Sequence, residues 1–373
     1  MVGTYLSYQL IARDMTKALD RVESQPVVDR ETKYYLENIS KVKTINEFVK
    51  DDRLFRYAMK AHGLEDMTYA KAFMVKAMKE GLSDPDSFAN KLQDKRYAEF
   101  VTSYNFEKHG ELATVYNKAQ HEVPGNYLIQ AQIAGLDPNS EYIKQETAYY
   151  RANIGKVTSI EGLMSNQRLL TYAMAAYGLD SVSEDLDYIE ELLAGGVRDP
   201  ASPANVEEDT RYTAFTAAFD FEGLGESATT LSRAQQPSID KYLRQTLEEN
   251  AGNDNEGVRL ALYFDRKAAS LTNFYEILAD PALAKVVRTV LSLPDSFASA
   301  DIDRQVKLFE EKLDIEDFTD PEKLGKFLTR FTNLWEISNP TASAQTQLSV
   351  LFTQPVEFGL SNNLLSAIQS MKR

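Results

Sequence analysis

The stretch from Glu31 to Glu111 recurs without a gap from Glu146 to Glu226, shifted by about 115 residues and with about thirty identical pairs. A chain that contains itself folds as modules that cover one another's apolar faces, so the architecture follows from what one module can be. The opening ETKYYLENISKV returns as ETAYYRANIGKV, RLFRYAMKAHGL as RLLTYAMAAYGL, DPDSFANKLQDKRYAEF as DPASPANVEEDTRYTAF, and FEKHGE as FEGLGE. A looser third copy runs from Leu262 to Leu293. There Tyr263 and Phe264 fall on Tyr34 and Tyr35, Asp280 on Asp51, Leu283 on Leu54 and Leu293 on Leu64.

Apolar residues recur at three and four throughout, as in Ile45, Phe48, Val49, Leu54, Phe55 and Tyr57, and no sustained alternation of period two is present. The fold class expected is therefore all-α, three tandem copies of a multi-helix unit of about 115 residues in an elongated array. Gly63 and Gly178 each end a helix, where a residue free to take positive φ satisfies the last carbonyls. Asp84-Pro85, Asp199-Pro200 and Asp320-Pro321 are expected to open helices, aspartate as N-cap and proline first in the helix. The segment YNKAQ after the first copy returns as LSRAQ after the second, and NYLIQ as KYLRQ, with Tyr5-Leu6 matching Tyr127-Leu128 and Tyr242-Leu243. Those joints place repeat one at 1–121, repeat two at 122–236, a divergent repeat three at 237–340 and a helical tail at 341–373.

The net charge of −15 is unevenly spread. Up to His121 there are 19 basic and 18 acidic residues, from Glu122 to Asp240 there are 7 and 19, and from Lys241 onward 15 and 19. An acidic middle repels phosphate backbones and anionic lipid, which argues against nucleic-acid or membrane-surface binding and leaves a basic partner surface, or simply solubility, as the reading. The chain has no cysteine, which removes disulfides and thiolate chemistry. Its N-terminus lacks the basic and apolar regions of a cleavable signal, and no window reaches the apolar length of a membrane span. A cytoplasmic protein is expected, or one exported by a route that reads an uncleaved end.

Comparison between copies sorts the polar residues. The three histidines, His62, His109 and His121, stand opposite Tyr177, Leu224 and Gln236, so none is repeated, and no catalytic, cofactor or metal role is expected. The acidic run Ser183–Glu191 lacks the central glycine and closing glutamate of a calcium loop, and reads as a solvated helix. Retained are Asn38 with Asn153, Lys41 with Lys156, Arg53 with Arg168, Asp94 with Asp209, Arg96 with Arg211, and Glu107 with Glu222. Arg53, Arg96, Arg168 and Arg211 are candidate anion-binding residues, because guanidinium holds a carboxylate through two bonds. Against that stands inter-helix ion pairing, with Asp94 and Arg96 too close in sequence to share a helix face. The aromatic residues at retained positions, Tyr35, Tyr57, Phe100 and their counterparts, are expected in the core. Leu360, Leu364, Leu365, Ile368 and Met371 share one face of the tail and are the candidate partner contacts.

The succession YYxxNIxKV, RLxxYAM, GL, DPxSxAN and DxRY resembles an alphaproteobacterial family of unknown function whose members carry the unit in several copies and are commonly encoded among flagellar genes. The resemblance implies a non-enzymatic, flagellum-associated accessory, structural or chaperone-like protein working through protein contacts. The alternatives are a small-molecule enzyme or sensor with an anion-binding pocket between repeats, and an exported axial subunit of the flagellum.

Overall fold

The computed structural model describes residues 3–197 and 201–339. Among these the secondary structure is helical, with no strand, and no helix is long and apolar enough to cross a membrane. Two compact units divide the chain: one runs from Thr16 to Leu247, the other joins Met1–Met15 to the chain from Glu248 onward. These limits differ from those at 121 and 236, because the N-terminal helix packs with the last helices and residues 231–247 pack with the first repeat.

In the unit Thr16–Leu247 the same succession of helices occurs twice. Pro26–Ile39, Ile45–Lys50, Asp52–Ala61, Lys71–Glu80, Phe88–Lys91, Arg96–Ser103 and Phe106–His109 correspond to Glu141–Asn153, Ile160–Met164, Gln167–Ala175, Leu186–Gly195, Pro203–Val206, Thr210–Ala218 and Phe221–Leu224. Their ends are set by local chemistry. Asp51 opens Asp52–Ala61 by accepting from the amides of Arg53 and Leu54, and Asn166 opens its counterpart by accepting from Leu169. At the other end Gly63 and Gly178 take φ of +66° and +71°, so the amides of Leu64 and Leu179 reach back to the carbonyls of Met59 and Met174 at 2.8 and 3.0 Å. Asp84-Pro85 departs from expectation: it forms a turn, the Asp84 carboxylate accepting from the Asp86 amide, and the helix starts only at Phe88. A short side chain that caps its own turn competes with helix initiation there. Asp199-Pro200 lies outside the described residues.

The retained aromatic residues fill the cores. Tyr35 stacks on Tyr57 at 4.3 Å and Tyr57 on Tyr242 at 3.8 Å, while Tyr150 stacks on Tyr172 at 4.5 Å and Tyr172 on Tyr127 at 3.8 Å. The two halves exchange their closing segments. The Thr114 hydroxyl donates to the Val42 carbonyl of its own half at 3.1 Å, but five residues later the Ala119 carbonyl accepts from Tyr150 of the other half at 2.9 Å. The return is equivalent: Thr229 donates to Val157 at 2.6 Å, and the Ala234 carbonyl accepts from Tyr35 of the first half. Where the segments cross, Asn117 Nδ2 donates to the carbonyls of Ala228 and Leu231, both at 2.9 Å, and the Ser232 hydroxyl donates to Thr114 at 2.6 Å.

The other unit is built on Glu256–Ala268, Phe274–Ala279, Pro281–Val290, Ile302–Lys312 and Pro321–Ser338, with Thr4–Ala12 laid against the first and last of these. Phe264, Phe309, Phe331 and Trp335 form its core with Tyr8. Thr4 donates its amide to Glu336 Oε2 at 2.7 Å, and its hydroxyl accepts from Asn255 at 2.9 Å, which fastens the start of the chain to this unit. Tyr5 and Leu6, matched in sequence to a buried Tyr127, are here 40% and 53% exposed. Within the unit Asp280 caps Pro281–Val290, and the Tyr263 hydroxyl donates to Asp280 as that of Tyr34 does to Asp51. Asp320 caps Pro321–Ser338, as the Asp-Pro reading expects. The tail residues Leu360, Leu364, Leu365, Ile368 and Met371 lie outside the described residues.

Candidate functional site

A cleft of about 290 Å³ opens where the crossing segments meet the ends of both halves. Its walls are assembled from corresponding positions: Asn105 with Asp220, His109 with Leu224, Ala113 with Ala228, Tyr116 with Leu231, and Lys118 with Arg233. The backbone places them for the same reason twice. Asn105 opens Phe106–His109 by accepting from the Lys108 amide at 3.0 Å, and Asp220 opens Phe221–Leu224 by accepting from Gly223 at 2.9 Å. Each short helix then ends at a glycine with φ near +50°, Gly110 at +55° and Gly225 at +51°.

Although related by position, the two walls differ chemically. On the first side His109 stacks on Tyr116 at 3.6 Å, and Tyr116 donates to Glu122 at 3.1 Å. On the second side Leu224 and Leu231 present aliphatic surface. The buried Asp220 is occupied by Arg233, whose Nη2 lies 3.1 Å from Oδ2. Lys108 and Lys118 line the cleft with no carboxylate in ion-pairing contact among the described residues. Three cations thus face one carboxylate in a chain of net charge −15.

The crowding shifts the titratable groups of the wall. Lys118 reaches the surface, yet desolvation by the surrounding atoms lowers its pKa, Glu122 opposing and Arg233 and Lys108 adding to the shift. His109 is lowered first by desolvation and then by Lys108, which keeps its ring neutral further into the acid range. Desolvation, with Glu122 second, pushes the Tyr116 hydroxyl up to about 12. Such a cleft suits capture of an anion. Among the described residues no group of three or more His, Asp or Glu is placed to hold a metal ion.

The four candidate arginines stand elsewhere, and none lines this cleft. Arg53 lies 3.7 Å over the Tyr34 ring and 3.0 Å from Glu31, and Arg168 repeats this with Tyr149 at 3.9 Å and Glu146 at 2.9 Å. Arg96 and Arg211 correct the expectation drawn from spacing. Each forms a local ion pair two residues back, Arg96 with Asp94 at 2.7 Å and Arg211 with Asp209 at 2.6 Å. The helix-face argument fails because these aspartates precede the helices, where each carboxylate accepts from the amide of the arginine two residues on as well as from its guanidinium. Each guanidinium also donates to the glycine carbonyl that ends a preceding helix, Gly63 or Gly178. All four arginines are therefore engaged with carboxylates of the chain. Glu107 and Glu222 also have a local use, lying against the positive-φ glycines Gly81 and Gly196. The cleft went unseen because the comparison between copies set aside residues that differ, and His109 and Tyr116 do differ. The signal available was the cation kept in YNKAQ and LSRAQ, Lys118 and Arg233.

Residues 61–187 and 176–324 match a family described as a protein of unknown function, DUF1217. The matches begin at 61 and 176, which is the 115-residue offset of the internal repeat. Among solved structures, the X-ray structure of a structural-genomics protein from Agrobacterium tumefaciens is similar, with 36% identity and a TM-score of 0.54. The alignment covers 90% of this chain and 94% of that one. No curated protein matches the chain.

Proposed function

The chain belongs to the DUF1217 family, and from that membership we propose that it is a non-enzymatic tandem-repeat protein acting through contacts with other proteins, as an accessory or structural component associated with the flagellum. The observation that carries the contact role is an apolar surface on the second half. Ile129 and Ile133 are 57% and 73% exposed one helical turn apart on Val123–Ile133, and exposed Leu136 and Tyr142 follow on the turn and the next helix. Isolated exposed apolar residues are ordinary, but a stripe at helical spacing is the mark of a face that receives another helix. This face lies in the segment from Glu122 to Asp240, with 7 basic and 19 acidic residues, so the complementary partner is a helix with an apolar face rimmed by lysine and arginine. The flagellar setting is supported by the motif resemblance, and three copies of one unit by the corresponding caps at Asp51, Asn166 and Asp280.

The test is affinity capture from cells with the full chain and with an Ile129→Glu/Ile133→Glu variant, captured proteins being identified and their binding helix measured as a peptide. A basic amphipathic helix that binds the parent and loses at least about tenfold affinity with the variant supports the reading, since burying two such side chains contributes about 3 kcal/mol or more. Equal binding of parent and variant overturns it. Deleting 360–373 tests the tail residues separately.

A further inference from the structure

The geometry points to the cleft between the two halves as a binding site for a small organic anion, its phosphate or carboxylate head held by Lys108, Lys118 and Arg233 and its apolar body lying against Leu224, Leu231 and Tyr116. This goes beyond the contact role, which rests on a different face. Three observations carry it together. A cavity of about 290 Å³ accommodates a ligand of roughly ten to twelve heavy atoms, close to the lower end of the 300–1,000 Å³ common for small-molecule sites. Two lysines of the wall make no ion pair among the described residues, Glu122 acting on Lys118 from beyond the lining, while the third cation is already oriented by the buried Asp220. Fixed in this way, Arg233 keeps outward-facing N–H groups for a ligand without having to be ordered on binding.

The asymmetry of the walls gives the ligand its shape. Corresponding positions carry a stacked imidazole and phenol on one side and two leucines on the other, so an apolar body has an aromatic wall and an aliphatic wall to lie between. Excess positive charge in an otherwise acidic protein focuses an anion into the cleft rather than over the surface.

Phenyl phosphate is the probe, titrated calorimetrically into the full chain alongside inorganic phosphate and benzyl alcohol. The expected result is saturable binding of one phenyl phosphate per chain, several-fold tighter than inorganic phosphate, with benzyl alcohol not binding. Lys108→Ala and Lys118→Ala should each weaken binding about tenfold, the usual size of one charge-assisted contact, and Lys144→Ala, an exposed residue that does not line the cleft, should leave it unchanged. Both lysines are exposed and make no side-chain bond the fold needs, so the variants keep the helical spectrum of the parent. Absence of saturable binding, parent affinity retained in both lysine variants, or inorganic phosphate binding as tightly as the phenyl ester would overturn the assignment.

Discussion

The hydroxyl of Tyr35 donates to the backbone carbonyl of Ala234, a residue 199 positions along the chain. Tyr150 makes the equivalent bond to Ala119, only 31 positions back, so each half of the unit is closed by a segment that leaves the other. The exchange makes the halves interdependent. A fragment of residues 16–121 lacks Ala234, Ser238 and Tyr242, and should show no cooperative melting by circular dichroism, whereas 16–247 should melt as one unit. A cooperative transition in the short fragment would show that the exchanged segment is dispensable.

Tyr35 also tests the strength of that closure. Its hydroxyl lies 2.6 Å from that of Tyr104, which donates to Ser238 at 3.1 Å, and burial pushes the Tyr35 pKa well up, so the group is neutral and bonded at any ordinary pH. Tyr35→Phe leaves the Ala234 carbonyl buried without its donor, at a cost of about 1–3 kcal/mol. The melting temperature should fall by roughly 2–4 °C for each kcal/mol lost. Thermal denaturation followed by circular dichroism measures it, and an unchanged midpoint would mean the bond contributes nothing net.

Gly257 in the other unit faces the Trp335 ring so closely that an added Cβ would lie 2.2 Å from Cδ1. Alanine in a helix gains up to about 1 kcal/mol over glycine, but a forced overlap in a packed core costs about 1–3 kcal/mol. Overlap should win, and Gly257→Ala should lower the stability of this unit and shift the fluorescence of Trp335, the one tryptophan of the chain. A stabilised variant with unchanged emission would show that the ring moves aside freely.

Ser292 follows Pro281–Val290 with φ of +54°, as Gly63 and Gly178 follow their helices, and the Leu293 amide reaches the Arg288 carbonyl at 2.9 Å to complete the same helix end. A side chain in the left-handed region costs about 1–2 kcal/mol, of which glycine gives back part through its freer unfolded chain. Ser292→Gly should therefore raise stability by about 0.5–1 kcal/mol. Calorimetry of the parent and variant decides the sign.

Glu31 is held below the ordinary carboxylate value, near 4.3, chiefly by its hydrogen bond to Arg53 and secondarily by Arg30, against a desolvation that raises it. A depressed folded pKa means stabilisation that is complete above the unfolded value and is lost as pH falls through the folded one. Arg53→Gln should thus lower the urea midpoint more at about pH 7 than in acid below the folded pKa of Glu31, where protonation of the carboxyl removes the pair in both proteins. A penalty of equal size at both pH values would assign the effect of Arg53 to its stacking on Tyr34 instead. The effect is small, because Arg53 and Glu31 are both partly open to solvent.

Much of this molecule follows from its sequence alone. The 115-residue offset, the helical spacing of apolar residues and the capping roles of Asp320, Gly63 and Gly178 depend on local geometry, which neighbouring residues dictate. Partner choice does not. The segments around Ala119 and Ala234 are near-equivalents, each able to meet Tyr35 or Tyr150, so their sequence holds no preference for one half over the other. Which one closes which core is decided by chain connectivity and by the bonds at the crossing, Asn117 to Ala228 and Ser232 to Thr114. The cleft has the same origin: Lys118 and Arg233 lie far apart in sequence and become neighbours only because the closing segments cross. Similarity between copies makes the repeat legible, and that same similarity hides the pairing that tertiary structure selects.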